Sequence, residues 1–258
     1  MNKCAVIYSH LGLGDNVMNV GMVNYLSTKY EIILFIIYKH NFIDVNTFFE
    51  KNKKIILIGI QSYLSGQEII NKYPNYDYYF SGYIKDNDKK KYINFPYCFY
   101  DDCNIERSII YKYFNCDTTD NSKLLLNYVK NTKFIFINNY CSSGEQISMT
   151  NIFKNILKNI DTNEYLIINN RINYYNENDE KYKIADKFIF DKNQRLLLSD
   201  YKLILENAYI NCITDSCYFS LAIQCNLNRN NYLIVRKGHE YMNYRQLIND
   251  SKNTFIIV

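Results

Sequence analysis

Apolar residues come in short blocks separated by polar turns, and the blocks alternate between two periods. Cys4 to Tyr8 is a run of strand length. A polar turn with glycines at 12 and 14 follows, and Asn16 to Lys29 then has the spacing of an amphipathic helix. Glu31 to Tyr38 is almost continuously apolar, as a strand covered on both faces should be. Phe42 to Phe49 predicts a short helix capped by Asp44 or Asn46, and Ile55 to Ile58 a third strand. Ser65 to Tyr73 predicts a helix in which Ser65 and Glu68 form a capping box. Tyr76 to Phe80 predicts a fourth strand, so the first half alternates strand and helix.

The middle is less regular. Lys85 to Lys91 is a charged loop, Pro96 to Asp102 an aromatic irregular stretch, and Ile105 to Phe114 a helix. Asp117 to Asn131 breaks the pattern and is read as a boundary region. Alternation restarts with a strand at Phe134–Ile137, a polar loop at Asn138–Gln146, a helix at Asn151–Ile160 and a strand at Tyr165–Ile168. A hydrophilic connection at Tyr174–Lys183, a short strand at Phe188–Phe190 and a helix at Asp200–Ala208 come next. A strand at Tyr209–Ile213, a helix at Cys217–Gln224 and strands at Tyr232–Val235 and Thr254–Ile257 close the chain. No helix returning to the first half is read from the sequence. Repeated β–α alternation predicts an α/β fold with parallel sheets. The simplest architecture is two Rossmann-like domains facing across a cleft, residues 1–125 and 126–258, with a single larger sheet as the alternative.

Composition narrows the chemistry. The chain has 258 residues, of which 48% are hydrophobic and 22% charged, which suits folded domains with sizeable cores. Its 30 basic and 26 acidic residues are scattered, and a net charge of +4 without a basic face gives no nucleic-acid footprint. No run approaches the ~18 apolar residues of a membrane helix. Eight cysteines occur without a CxxC pair and beside only three histidines, so no metal site is expected. With no leader segment read at the start, free thiols in a reducing cytoplasm are expected. The 27 tyrosines and two prolines, with many Asn, Lys and Ile, follow A- and T-rich codons. Such composition is met in giant DNA viruses and AT-rich microbes.

Three polar stretches at strand ends carry the candidate chemistry. Gly12-Leu13-Gly14-Asp15 differs from a dinucleotide fingerprint, since Val17 stands where a third glycine belongs and the second strand ends in Tyr38-Lys39 rather than an acid. No GK[ST] follows, so a P-loop is excluded. Asp15 is then either a helix cap or a general base at the end of a strand. Thr214-Asp215-Ser216 opens a helix after a strand, where amides and hydroxyls suit phosphate oxygens, although Asp215 would itself repel them. Asn138 to Glu145 is a polar loop at the corresponding end of the strand that opens the second half.

Taken together, these stretches resemble the glycosyltransferases of the two-Rossmann-domain (GT-B) type, in particular the heptosyltransferase-like, family 9-related group. The matching residues are Gly12-Leu13-Gly14-Asp15, then Phe136 to Ser143, then Glu206-Asn207-Ala208 followed by Asp215-Ser216 and Leu221-Ala222. The resemblance implies Asp15 as catalytic base and Ser142, Ser143, Asp215, Ser216 and Ser220 as residues lining a nucleotide-sugar site. His10, Gly12 and Gly14 count with the substrate-binding residues of the first turn. The histidine common in the late motif has Phe219 or Ser220 in its place, so heptose is not implied as the sugar moved.

The expected reaction is inverting transfer from a nucleotide-sugar co-substrate to a glycan or other hydroxyl acceptor, without a metal or other cofactor. Arg171, Lys192 and Arg195 are expected to help neutralise the leaving group, with Lys237 and His239 as further cations after a strand. The alternatives are an inactive glycan- or nucleotide-binding structural relative and a transferase resembling polysaccharide pyruvyl transferases. The oligomeric state is not set by the sequence.

Overall fold

Dense β-branched and aromatic runs become the strands, because each can be buried on both faces. In the computed structural model, residues 3–9, 12–82, 95–129, 131–141, 146–170, 196–228, 230–239 and 242–258 are described. The chain divides into two compact units, Met1–Asp117 with Tyr241–Asp250, and Thr118–Glu240 with Ser251–Val258.

In unit 1, β1 (Cys4–Ser9) leads into α1 (Leu13–Met18) and α2 (Val20–Ser27). Then come β2 (Ile32–Tyr38), α3 (Phe42–Asn46), β3 (Ile55–Ile60), α4 (Tyr63–Lys72), β4 (Asp77–Ser81), α5 (Cys98–Asp101) and α6 (Ile109–Lys112). The four strands form one parallel sheet in the order β3-β2-β1-β4. Val6, Tyr8, Leu34, Ile36, Ile60 and Ile70 form a buried cluster of its core.

Unit 2 begins with α7 (Asp120–Tyr128) and β5 (Phe134–Asn138). α8 (Met149–Asn151) runs into a π-helical turn, Ile152–Ile156, and β6 (Leu166–Asn169) follows. α9 (Lys202–Asn207), β7 (Ile210–Thr214), α10 (Cys217–Ala222), β8 (Asn231–Ile234), α11 (Tyr244–Asp250) and β9 (Phe255–Ile257) complete the chain, with α11 counted in unit 1. The second sheet is also parallel, in the order β6-β5-β7-β8-β9. Its core includes Ile135, Ile137, Ile167, Ile210, Cys212 and Ile234.

Several expectations are corrected. The long first helix is broken at Asn19, whose side-chain Nδ2 donates to the Asp15 carbonyl at 2.8 Å while its side-chain Oδ1 accepts from Ser81 Oγ at 2.6 Å. Those bonds tie the break to the end of β4. Asp44 and Asn46 do not cap α3; they lie within it, and Asn41 precedes it. The helix expected from Ser65 starts a few residues earlier, with Ser62 as its cap accepting from the Ser65 amide. Asp117 to Asn131 holds the change of unit after Asp117 and also a helix, α7, which Thr119 caps and which contains residue 125. The stretch from Ile105 to Phe114 is helical only over α6.

α11 was not expected. Its Leu247 carbonyl accepts from the Tyr111 hydroxyl at 2.9 Å and its Asp250 carboxylate from the Tyr97 hydroxyl at 2.6 Å, both in unit 1. Burial first, and the Asp250 hydrogen bond second, push the Tyr97 hydroxyl far above its ordinary pKa. The expected loop at 85–91, connection at 174–183 and strand at 188–190 lie outside the described residues. All eight cysteines are free thiols. Among the described residues, no helix is long and apolar enough to cross a membrane.

Candidate functional site

In an open parallel sheet the strand order reverses at one point, and the crevice at the carboxyl ends there is where ligands bind. Unit 1 reverses between β1 and β4, and unit 2 between β5 and β7. The two candidate turns fall at these two places.

After β1 the chain passes through Gly12, which is extended (φ −66°, ψ 149°) and precedes α1. Asp15 therefore sits in the first turn of the helix, and its side chain is not the cap. Its carboxylate folds back over the turn, since a methyl group placed on Gly12 would stand 2.5 Å from Asp15 Oδ2. The helix start is held by buried polar side chains. Ser9 Oγ donates to Asn16 Oδ1 at 3.0 Å, and Ser81 and Asn19 supply the bonds already described. Asn16 Nδ2 has no hydrogen-bond partner among the described residues. Asp15 itself is half-buried, so the arrangement presents a carboxylate on a rigid support at the mouth of the crevice.

In unit 2, Asn138 at the end of β5 is the hub. Its Oδ1 accepts from Thr214 Oγ1 at 2.7 Å and Ser216 Oγ at 2.8 Å, joining the ends of β5 and β7. Its Nδ2 donates to the Tyr140 carbonyl and to Asn170 Oδ1. Ser216 also caps α10, accepting from the Tyr218 amide. Ser220 lies one turn further along α10 and is buried, its amide donating to the Ser216 carbonyl at 3.1 Å.

Asp215, the awkward neighbour for a phosphate, is neutralised. Its carboxylate, 1% exposed, accepts from Arg236 Nε at 2.6 Å and lies 2.7 Å from His239 Nδ1. Arg236 Nη2 donates to the Asp215 carbonyl at 3.1 Å and Nη1 reaches Cys141 Sγ at 3.2 Å. Burial disfavours the guanidinium charge, but the hydrogen bond and charge of Asp215, aided by Cys141, outweigh it and raise the Arg236 pKa. With a carboxylate oxygen at 2.7 Å, we assign the His239 proton to Nδ1. The 3.0 Å approach of Arg236 Nη2 to the same nitrogen is then a packing contact. The imidazole is 29% exposed and Arg236 13%, so both side chains are partly open to solvent while their carboxylate anchor is buried.

Of the residues singled out from sequence, Gly12, Gly14 and Asp15 come together in unit 1, and Asp215, Ser216 and Ser220 in unit 2. His10, Ser142, Ser143, Arg171, Lys192 and Arg195 lie outside the described residues. Glu206, part of the late motif, ends α9 before β7, at the opposite end of that strand from Asp215. It accepts from Lys202 Nζ and the Asn226 amide, a structural role. Sequence reading missed Asn138, Thr214 and Arg236 as members of one cluster. Their common position just at or after parallel strands was the available signal. Among the described residues no group of three His, Cys, Asp or Glu side chains could hold a metal ion.

Two units, each built on a parallel α/β sheet, are consistent with a GT-B-like fold. No family model matches the sequence, and no curated protein matches it. Solved structures do match. The ADP-heptose lipopolysaccharide heptosyltransferase II of Escherichia coli aligns with 98% of this chain and 90% of its own, at 11% identity and a TM-score of 0.59. A family 9 glycosyltransferase from Veillonella parvula aligns with 99% of this chain and 86% of its own, at 9% identity and a TM-score of 0.54. The E. coli glycosyltransferase TibC, described as iron-containing and dodecameric, aligns with 91% of this chain but 58% of its own, at 10% identity and a TM-score of 0.55. At these identities the likeness establishes the fold. The neighbours are bacterial and lend no support to a viral source.

Proposed function

We propose that this chain is a glycosyltransferase that moves a sugar from a nucleotide-sugar donor to a hydroxyl of a glycan or other acceptor, with inversion and without a metal. The reading is carried by one coincidence. In a fold that aligns over nearly its whole length with glycosyltransferases, each sheet has its polar constellation at its own switch point. Asp15 takes the proton from the acceptor hydroxyl as that oxygen bonds to the anomeric carbon. The bond from that carbon to the phosphate oxygen breaks, and the nucleoside diphosphate leaves with the electron pair. Its charge is met by Arg236 and His239, which Asp215 holds in place, and by hydroxyls of the Thr214–Ser216 turn. Arg171, Lys192 and Arg195 remain candidates for the same task.

Replacing Asp15 with Asn tests the base. It should keep the fold and nucleotide binding and lower kcat by ~10² or more, the usual contribution of a positioned base. Unchanged turnover would sink the assignment. The donor side is tested by thermal stabilisation with UDP, GDP, ADP and dTDP. A nucleotide at 100 times its Kd should stabilise the protein by about 2.7 kcal/mol. No response to any of them would reject the donor assignment.

A further inference from the structure

The carboxyl edge of the first sheet carries another feature beside the Asp15 turn. Tyr38 ends β2 and Ile60 ends β3, directly opposite each other in the register. Around this pair, Tyr38, Lys39, His40, Ile60 and Gln61 line an open cavity of about 410 Å³, the size of a small-molecule pocket. Its wall is rigid. The His40 ring stacks on Tyr38 at 5.2 Å and 24°, and the Tyr63 ring meets Tyr38 edge-on at 6.4 Å. Tyr38 also packs against the buried cluster that contains Tyr8, Ile60 and Ile70. Tyr63 is braced in turn by Tyr8, whose hydroxyl donates to the Tyr63 carbonyl at 3.4 Å. Gly66 leaves room for that bracing, because a methyl group there would lie 2.7 Å from the Tyr8 hydroxyl. Lys39, His40 and Gln61 are exposed at the rim.

We propose that this cavity is a saccharide-ring subsite that holds the acceptor sugar next to the one bearing the reacting hydroxyl. The inference rests on the acceptor role given above to unit 1. An aromatic ring has a negative face, which attracts the weakly positive C–H face of a sugar ring. The amide, ammonium and imidazole at the rim offer donors and acceptors to the ring's hydroxyls. A wholly apolar ligand would strip water from those groups without replacing their hydrogen bonds. Neighbouring strands lie about 4.8 Å apart, so the ends of β2 and β3 are one and two spacings, about 5–10 Å, from the end of β1. That is the reach from one sugar ring to the next. The acceptor is therefore at least a disaccharide, with its reacting hydroxyl at Asp15 and its second ring against the exposed His40 side of the stacked Tyr38–His40 pair.

Saturation-transfer NMR on the full chain tests this. The probes are methyl glycosides and disaccharides of glucose, galactose, mannose and N-acetylglucosamine, measured alongside UDP, GDP, ADP and dTDP. At least one disaccharide should bind tenfold or more tightly than its methyl glycoside. His40→Ala and Gln61→Ala, both exposed changes, should each weaken that disaccharide at least threefold while leaving the melting temperature unchanged. Tyr38→Ala should weaken it tenfold or more, but Tyr38 also packs in the core, so the two rim variants decide the matter. Absence of disaccharide preference, or full binding by both rim variants, overturns the subsite. If nucleotides still bind in that case, the transferase reading survives and only the subsite falls. If no nucleotide binds the wild-type chain, the donor reading fails as well.

Discussion

A methyl group on Gly12 would stand 2.5 Å from the Asp15 carboxylate, and the Gly12 backbone at φ −66° is one that alanine adopts without strain. Gly12→Ala should therefore displace a flexible carboxylate rather than disrupt the fold. Stability should change by no more than about 1 kcal/mol, the range of cap substitutions. A misplaced reacting group of this kind costs roughly 10- to 100-fold in kcat. A variant with full activity would show that the position of Asp15 over the turn is unimportant. Asp215 behaves differently, because its side chain is 1% exposed and anchors a guanidinium that is 13% exposed. Asp215→Asn leaves that largely covered cation beside a neutral amide, which should cost about 2–3 kcal/mol in chemical denaturation, somewhat below the loss for a fully buried pair. A loss below about 1 kcal/mol would mean that water or another carboxylate compensates Arg236. The two residues also differ in legibility. Asp15 stands out in sequence because two glycines and a strand frame it. Arg236 lies 21 positions from Asp215, and only the pairing of β7 with β8 makes them neighbours.

Strands were legible as elements because burial on both faces leaves a continuous apolar word, as in Ile32–Tyr38 and Phe134–Asn138. Short surface helices leave no such word. α7 buries only Ser122 and Leu125 and exposes Leu124 and Tyr128, so no apolar stripe marks it. Its existence depends instead on Thr119, which accepts from the Ser122 amide at 3.0 Å and donates to Asp200 Oδ1 at 2.5 Å. Asp200 also accepts from the Leu197 amide at 2.8 Å, so one carboxylate links two helix starts. Thr119→Ala should lose about 1–2 kcal/mol by thermal or chemical unfolding, while Thr119→Ser should lose much less. Equal losses would mean that the threonine methyl group, not the hydroxyl, holds the helix. α11 is different, because it buries Tyr244, Leu247 and Ile248 at helical spacing, a stripe too short to stand out in sequence. What fixes it in unit 1 is a pair of tyrosine hydroxyls, from Tyr97 and Tyr111, more than a hundred residues away in sequence.

At the scale of the whole molecule, alternating elements made two parallel sheets readable, but not the return of Tyr241–Asp250 to the first unit. The chain passes from one unit to the other near residues 117, 240 and 250, and each unit keeps its own sheet and its own buried cluster. Among the described residues, no strand of one sheet pairs with a strand of the other. Local opening in such a chain has separate free energies for separate cooperative parts. A nucleotide that binds only at the ends of β5, β7 and β8 should then raise the opening free energy of that sheet by mass action. At 100 times its Kd the gain is about 2.7 kcal/mol, close to a hundredfold slowing of amide exchange. Hydrogen exchange read by mass spectrometry should show this slowing in peptides spanning Phe134–Asn138, Ile210–Thr214 and Asn231–Ile234. Peptides spanning Cys4–Ser9 and Ile32–Tyr38 should exchange as they do without nucleotide. Slowing confined to the first sheet would place the nucleotide in unit 1, and equal slowing in both would mean that the two units open as one. Either result would require the roles of Asp15 and the Asp215–Arg236–His239 cluster to be reassigned, because the proposed chemistry depends on donor binding and proton abstraction residing in different units.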